Sequence, residues 1–130
     1  MPFNDPIAEM LTKLRNAKNA QHRYVDLSSS KMKLKILEIL KANGFIENYL
    51  VNEEMRKARV FLRYQKNRES LLKGLKRVSK PGWRKYVKYE EIPTVFNGMG
   101  LAILSTCQGV LDGETARKLK VGGELLCTVW

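Results

Sequence analysis

Apolar residues at Ile7, Met10, Leu11 and Leu14 recur at spacings of three, one and three, which is one face of a helix. Asp5-Pro6 precedes them as a start signal: an aspartate able to cap free N–H groups, and a proline suited to the first helical position. Tyr24–Leu27 reads as a short strand. Ser28-Ser29-Ser30 then leads into a second helix, Lys31–Asn43, stopped by Gly44, with Met32, Ile36, Ile39 and Leu40 expected to face the core. Phe45–Val51 and Ala58–Tyr64 alternate as two strands of a hairpin around the polar turn Asn52–Lys57. The polar run Gln65–Ser70 follows and is the expected boundary.

The second half predicts a hairpin, Leu75–Lys80 and Trp83–Tyr89, around Pro81-Gly82. A short helix is expected over Glu90–Phe96, ended by Asn97-Gly98. Leu101–Leu104 is apolar and short enough for a buried strand, and it runs into Ser105-Thr106-Cys107-Gln108-Gly109. Asp112 is expected to cap a brief helix carrying Ala116 and Leu119, Gly122-Gly123 breaks it, and Glu124–Trp130 closes the chain as a strand. The pattern implies an α+β fold of two small lobes. Residues 1–65 form an N-terminal α-β-α-β-β lobe, and residues 66–130 a mainly antiparallel β lobe with short helices.

Charge changes the picture. The 130 residues carry 24 Lys and Arg against 13 Asp and Glu, a net charge of +11. Thirteen of those cations and one acid lie between Met55 and Lys88, so the rest of the chain holds 11 basic and 12 acidic residues. Such a concentrated excess points to a polyanionic partner: RNA, DNA or an acidic membrane. Residues 73–88 have seven cations and no acid, with Trp83 and Tyr86 among them. Cations hold phosphates while aromatic faces stack on unpaired bases. Tyr86, flanked by cations, is assigned to RNA; for Trp83, stacking and core packing stand equal.

Other chemistry finds less support. Two cysteines, Cys107 and Cys127, are too few for a disulfide framework or a four-cysteine zinc site, and they suit a reducing compartment. The opening MPFNDPIAEM lacks the form of a secretory signal, and no apolar run approaches the ~20 residues of a membrane span. A nucleophilic Cys107 or Ser105 would need the single histidine, His22, which sits in a polar stretch of the other lobe. Gly98-Met99-Gly100 precedes a strand, whereas a phosphate loop follows one. No catalytic residue, metal, cofactor or small-molecule substrate is expected.

Several motifs, in this order and spacing, resemble one family nearly end to end. They are DPIAEMLTKLRN (Asp5–Asn16), SSKMK (Ser29–Lys33), GFI (Gly44–Ile46), RVSKPGWRKY (Arg77–Tyr86), AILST (Ala102–Thr106) with Gly109, and VGGELLCTVW (Val121–Trp130). The chain is similar to the eighth protein of the bacterial small ribosomal subunit.

The resemblance implies a cytoplasmic structural protein that binds a distorted helix in the central domain of small-subunit ribosomal RNA, early in assembly. Its further partners would be neighbouring ribosomal proteins and, in some members, its own messenger RNA. Carried over, Ser105, Thr106, Cys107 and Gln108 form the reading loop, with Gly122, Gly123 and Glu124 lining the same site. Tyr86, Arg84 and Lys80 support it from the basic segment, and Ser30 and Lys31 reach the backbone from the N-terminal lobe. Cys107 stands where the family usually has serine, and a thiol is the weaker hydrogen-bonding group. Leu111–Glu114 also departs from the family form.

Overall fold

The computed structural model describes residues 5–130, apart from the side chain of Phe96; the first four residues, part of the leader reading, lie outside them. Two units divide the chain: Glu9–Lys73, and residues 5–8 with Gly74–Trp130. The division falls further along the chain than the polar run at residue 65. Leu71 N–H donates to the Arg63 carbonyl (3.0 Å) and Leu72 is fully buried, so this segment is tied to the first unit.

Helix α1 (Pro6–Asn19) starts where Asp5 caps it, the Ala8 N–H donating to Asp5 Oδ1 at 3.2 Å. The same carboxylate pairs with Arg77 at 3.1 Å, and Arg77 also donates to the Leu126 carbonyl at 2.7 Å. This buried pair has its hydrogen bonds met, the condition under which burial of charge is tolerated.

In the first unit, strand β1 (Tyr24–Ser28), helix α2 (Lys31–Ala42) and strands β2 (Ile46–Asn52) and β3 (Lys57–Leu62) follow in turn. The antiparallel sheet has the order β1-β3-β2. Leu27, Ala58, Val60 and Leu62 point inward, alternating with exposed Tyr24, Asp26 and Arg59 as the two-residue period of a strand requires. In α2 the buried stripe is Lys33, Ile36, Leu37 and Leu40. Met32 is exposed and Ile39 only half-buried, which corrects two of the four expected core positions. The stripe begins at a lysine, which hides its place in the apolar pattern. Its stem fills a core slot while its ammonium donates to Ser28 Oγ (2.8 Å) and to the Ser28 carbonyl. Burial lowers the Lys33 pKa below the ordinary lysine value.

The second unit is built on strand β8 (Gly123–Val129). One edge of β8 pairs with β6 (Leu101–Thr106), which pairs in turn with β7 (Gly109–Asp112); β4 (Leu75–Arg77) and β5 (Tyr86–Val87) also pair with β8. The expected Pro81-Gly82 hairpin is therefore corrected. Its arms do not pair along their length; they form one interrupted edge strand. Val78 and Ser79 continue the bonding to Leu126 and Leu125, the chain steps out at Lys80, and Lys85 rejoins by accepting from the Leu125 N–H (2.9 Å).

The expected helix over Glu90–Phe96 is instead two 3-10 turns, Tyr89–Glu91 and Phe96–Gly98. Pro93 supplies no N–H and holds Ile92 extended (φ −62°, ψ 123°), so no α-helix runs through. Asp112 stands at the N-cap of helix α3 (Gly113–Leu119) without a side-chain capping bond, which corrects that expectation. The helix packs Ala116 with Ile92, Ala102, Leu104 and Leu125 as the core of this unit. Cys127 is buried, and desolvation pushes its thiol up to about 12, so it stays protonated as a small core residue.

Candidate nucleic-acid interface

The open end of the β8 sheet gathers the C-terminal residues singled out in the sequence. Cross-strand pairing aligns Val110, Ser105, Glu124 and Tyr86 in one row, and Gly109, Thr106, Gly123 and Val87 in the next. Directly opposed residues of an antiparallel pair share a face, so Ser105, Glu124 and Tyr86 project together. Thr106 and Gly123 are partners in the ladder.

The glycines permit this closeness. A Cβ on Gly123 would collide with the Ser105 carbonyl oxygen, and one on Gly122 with the Val87 carbonyl oxygen. Any side chain there would force the strands apart, so the diglycine packs the end of the sheet closely.

Thr106 and Gly109 close a tight turn whose two central residues are Cys107 and Gln108, all but Thr106 exposed. The Thr106 hydroxyl donates to the Gly109 carbonyl (2.8 Å) and accepts from the Gln108 N–H (3.1 Å). Its one proton is committed, so toward a ligand it offers a lone pair and a methyl group. Gly109 takes φ +110°, a conformation that favours glycine. The Ser105 hydroxyl, half-buried, has no hydrogen bond among the described residues and remains available both to donate and to accept.

Glu124 is not an idle surface acid. Its Oε2 accepts from the Ser79 hydroxyl and from Arg84 Nη1 (2.9 Å), and the Ser79 Oγ accepts from the Lys85 N–H (3.1 Å). The carboxylate is only 17% exposed, so this charge-assisted link works away from full solvent screening. It anchors the step-out of the edge strand and aims Arg84. Ser79 is fully buried and was not anticipated. No local signal marks it, because its partner lies 45 residues away in the chain.

Around this row Lys80, Lys85 and Lys88 form no ion pair among the described residues. Tyr86 is 69% exposed, and its ring has no aromatic or cationic neighbour among them. Ser30 and Lys31 belong to the first unit. There the Ser30 hydroxyl caps α2 by accepting from the Lys33 N–H (3.2 Å), and exposed Lys31 opens that helix. The arrangement suits binding: fixed polar groups and an aromatic face on a strand frame, with exposed lysines along the same edge segment.

The sequence profile of the family described as Ribosomal protein S8 matches residues 5–130. The small ribosomal subunit protein uS8 of Protochlamydia amoebophila is 53% identical over 133 residues, covering all of both chains. The protein of that name from Chlamydia abortus is 54% identical over 129 residues, 98% of this chain and 97% of its own. That from Chlamydia trachomatis serovar D is 55% identical over the same shares.

Proposed function

The chain belongs to the ribosomal protein S8 family, and from that membership we propose that the Ser105–Glu124–Tyr86 end of its second sheet is the surface that reads small-subunit ribosomal RNA. The protein is a structural component of the small ribosomal subunit, working in the cytoplasm beside other ribosomal proteins, and it is not an enzyme. The observation that carries the reading is the ladder pairing of Thr106 with Gly123, which puts the hydroxyl turn and the diglycine strand side by side.

Binding divides into anchoring and reading. Lys80, Lys85, Lys88 and Arg84 hold phosphates and set the register, a contribution that depends on salt and not on sequence. Ser105, the Thr106 lone pair and the Tyr86 ring meet sugar hydroxyls and unpaired bases of an irregular stem in the central domain, where a regular A-form helix would present neither. Cys107 and Gln108 contribute through the turn backbone, and Gly122 and Gly123 keep the end of the sheet closely packed so that these groups stay adjacent. Ser30 and Lys31 offer a further backbone contact from the first unit. A segment of its own messenger RNA with the same irregular shape would bind the same surface and repress translation.

Footprinting of small-subunit ribosomal RNA with the purified protein, and no other ribosomal protein present, tests this. Protection of one irregular central-domain stem is expected. Absence of protection, or its loss to equimolar duplex DNA, would refute it.

A further inference from the structure

Trp83 is the outstanding group that this reading leaves unused. Trp83 is 81% exposed, whereas the other tryptophan, Trp130, is half-buried and fills the space over Gly74. Leaving a tryptophan side chain in water forgoes burial that folding could have used.

The segment that carries it is held. Lys80 and Trp83 exchange backbone hydrogen bonds in both directions, at 3.0 and 2.9 Å, around Pro81-Gly82. Below this turn, Ser79 and Glu124 clamp Lys85 and Arg84. The backbone beneath the indole is therefore fixed, and a ligand has only the two side-chain torsions left to order.

We propose that Trp83 is a stacking platform for an unpaired nucleobase of the bound RNA, an inference that rests on the function proposed above. The chemistry of the turn selects this ligand. Lys80 and Lys85 flank the indole along the chain and form no ion pair among the described residues, while Arg84 beside it is held by Glu124. An apolar protein pocket would have to strip water from those cations to reach the ring, while a nucleic-acid strand brings the phosphates that they require. A base inside a duplex hides its faces, so the contact favours strands with unpaired bases.

Fluorescence reads this directly. The emission of the wild-type protein less that of Trp83→Phe isolates Trp83. Two probes are used: a central-domain ribosomal RNA stem with its unpaired bases, and a fully paired version of equal length. The irregular stem is expected to quench the Trp83 emission at saturation, and the paired one to leave it unchanged. Trp83→Ala is expected to weaken binding to the irregular stem roughly tenfold, and Trp83→Phe by less than about threefold, with an unchanged salt slope. Unquenched emission on the saturated irregular stem, or equal affinity of wild type and Trp83→Ala, would overturn the stacking role alone. Failure of the wild-type protein to bind that stem would sink the proposed function with it.

Discussion

The two sheets of this protein carry the same three residue types on an exposed surface, arranged to opposite effect. In the first unit Arg59 lies 4.2 Å from the centroid of the Tyr24 ring and donates to both oxygens of Asp26, at 2.8 and 3.3 Å. Tyr24 also meets Phe61, ring centroids 6.1 Å apart. Tyrosine, arginine and acid complete one another there. In the second unit Arg84 is held by Glu124, yet Tyr86 is left bare, and the neighbouring lysines have no acid to pair with among the described residues. An aromatic and an arginine near each other do not make a binding surface. What distinguishes the second is interaction capacity left unspent, on a frame that is itself fully bonded.

Changes that damage that frame should have the largest effect. Gly123→Val places a branched side chain against the Ser105 carbonyl, and overpacking of this kind costs about 1–3 kcal/mol or more. Urea unfolding should show that loss, with RNA affinity falling alongside it; an unchanged unfolding midpoint would mean the strands are not so close. Tyr86→Ala and Tyr24→Ala break the comparison most cleanly. The first should weaken binding to the irregular stem by about 1–3 kcal/mol, as removal of one stacked base does, and the second should leave RNA affinity within about twofold. Equal losses would erase the distinction between open and closed surfaces.

Glu124→Gln sharpens the same point at smaller amplitude. Removing the acid lets Arg84 wander, so affinity for the irregular stem should fall several-fold. Affinity for fully paired RNA should rise, because a negative charge beside the phosphates is gone. Affinities that move together on both RNAs would remove the positioning role of Glu124.

The smallest effect belongs to the closed surface. The Asp26 pKa is lowered below its ordinary 3.8, first by the hydrogen bond from Arg59. A carboxylate so lowered stabilises the fold above its unfolded value, and the contribution is lost as pH falls through the folded value. Asp26→Asn should therefore be slightly less stable than wild type near neutrality, and the two should converge in acid below 3.8. The pair is half exposed, so a large gap between their unfolding midpoints would be a surprise.

Local features were legible in the sequence. Asp5 and Ser30 cap the helices they precede, and the apolar face of α1 is the one its spacing describes, because capping and helical periodicity act within a few residues. Non-local pairing was not. Pro81-Gly82 does turn the chain, but nothing near it shows that both arms bond to β8 instead of to each other. Strand β7 is short and begins with glycine, so no alternating pattern marks it in the sequence. Lys33 occupies a core slot through its stem, which a hydrophobic pattern counts as polar. The cation-rich segment with Tyr86, the Ser105–Gly109 loop and the Gly122–Glu124 turn stand out as residues, and family motifs join them into one site, whereas the link from Ser79 to Glu124 needed the fold before it could be seen.

The most direct measurement is a map of backbone amide shifts as the irregular ribosomal RNA stem is titrated into the labelled protein. Shifts concentrated at Trp83 to Tyr86, Ser105 to Gln108 and Gly122 to Glu124, with Tyr24, Asp26 and Arg59 still, are expected. Shifts centred on the Tyr24–Asp26–Arg59 surface, with the end of β8 unmoved, would contradict the assignment of the RNA to the open sheet.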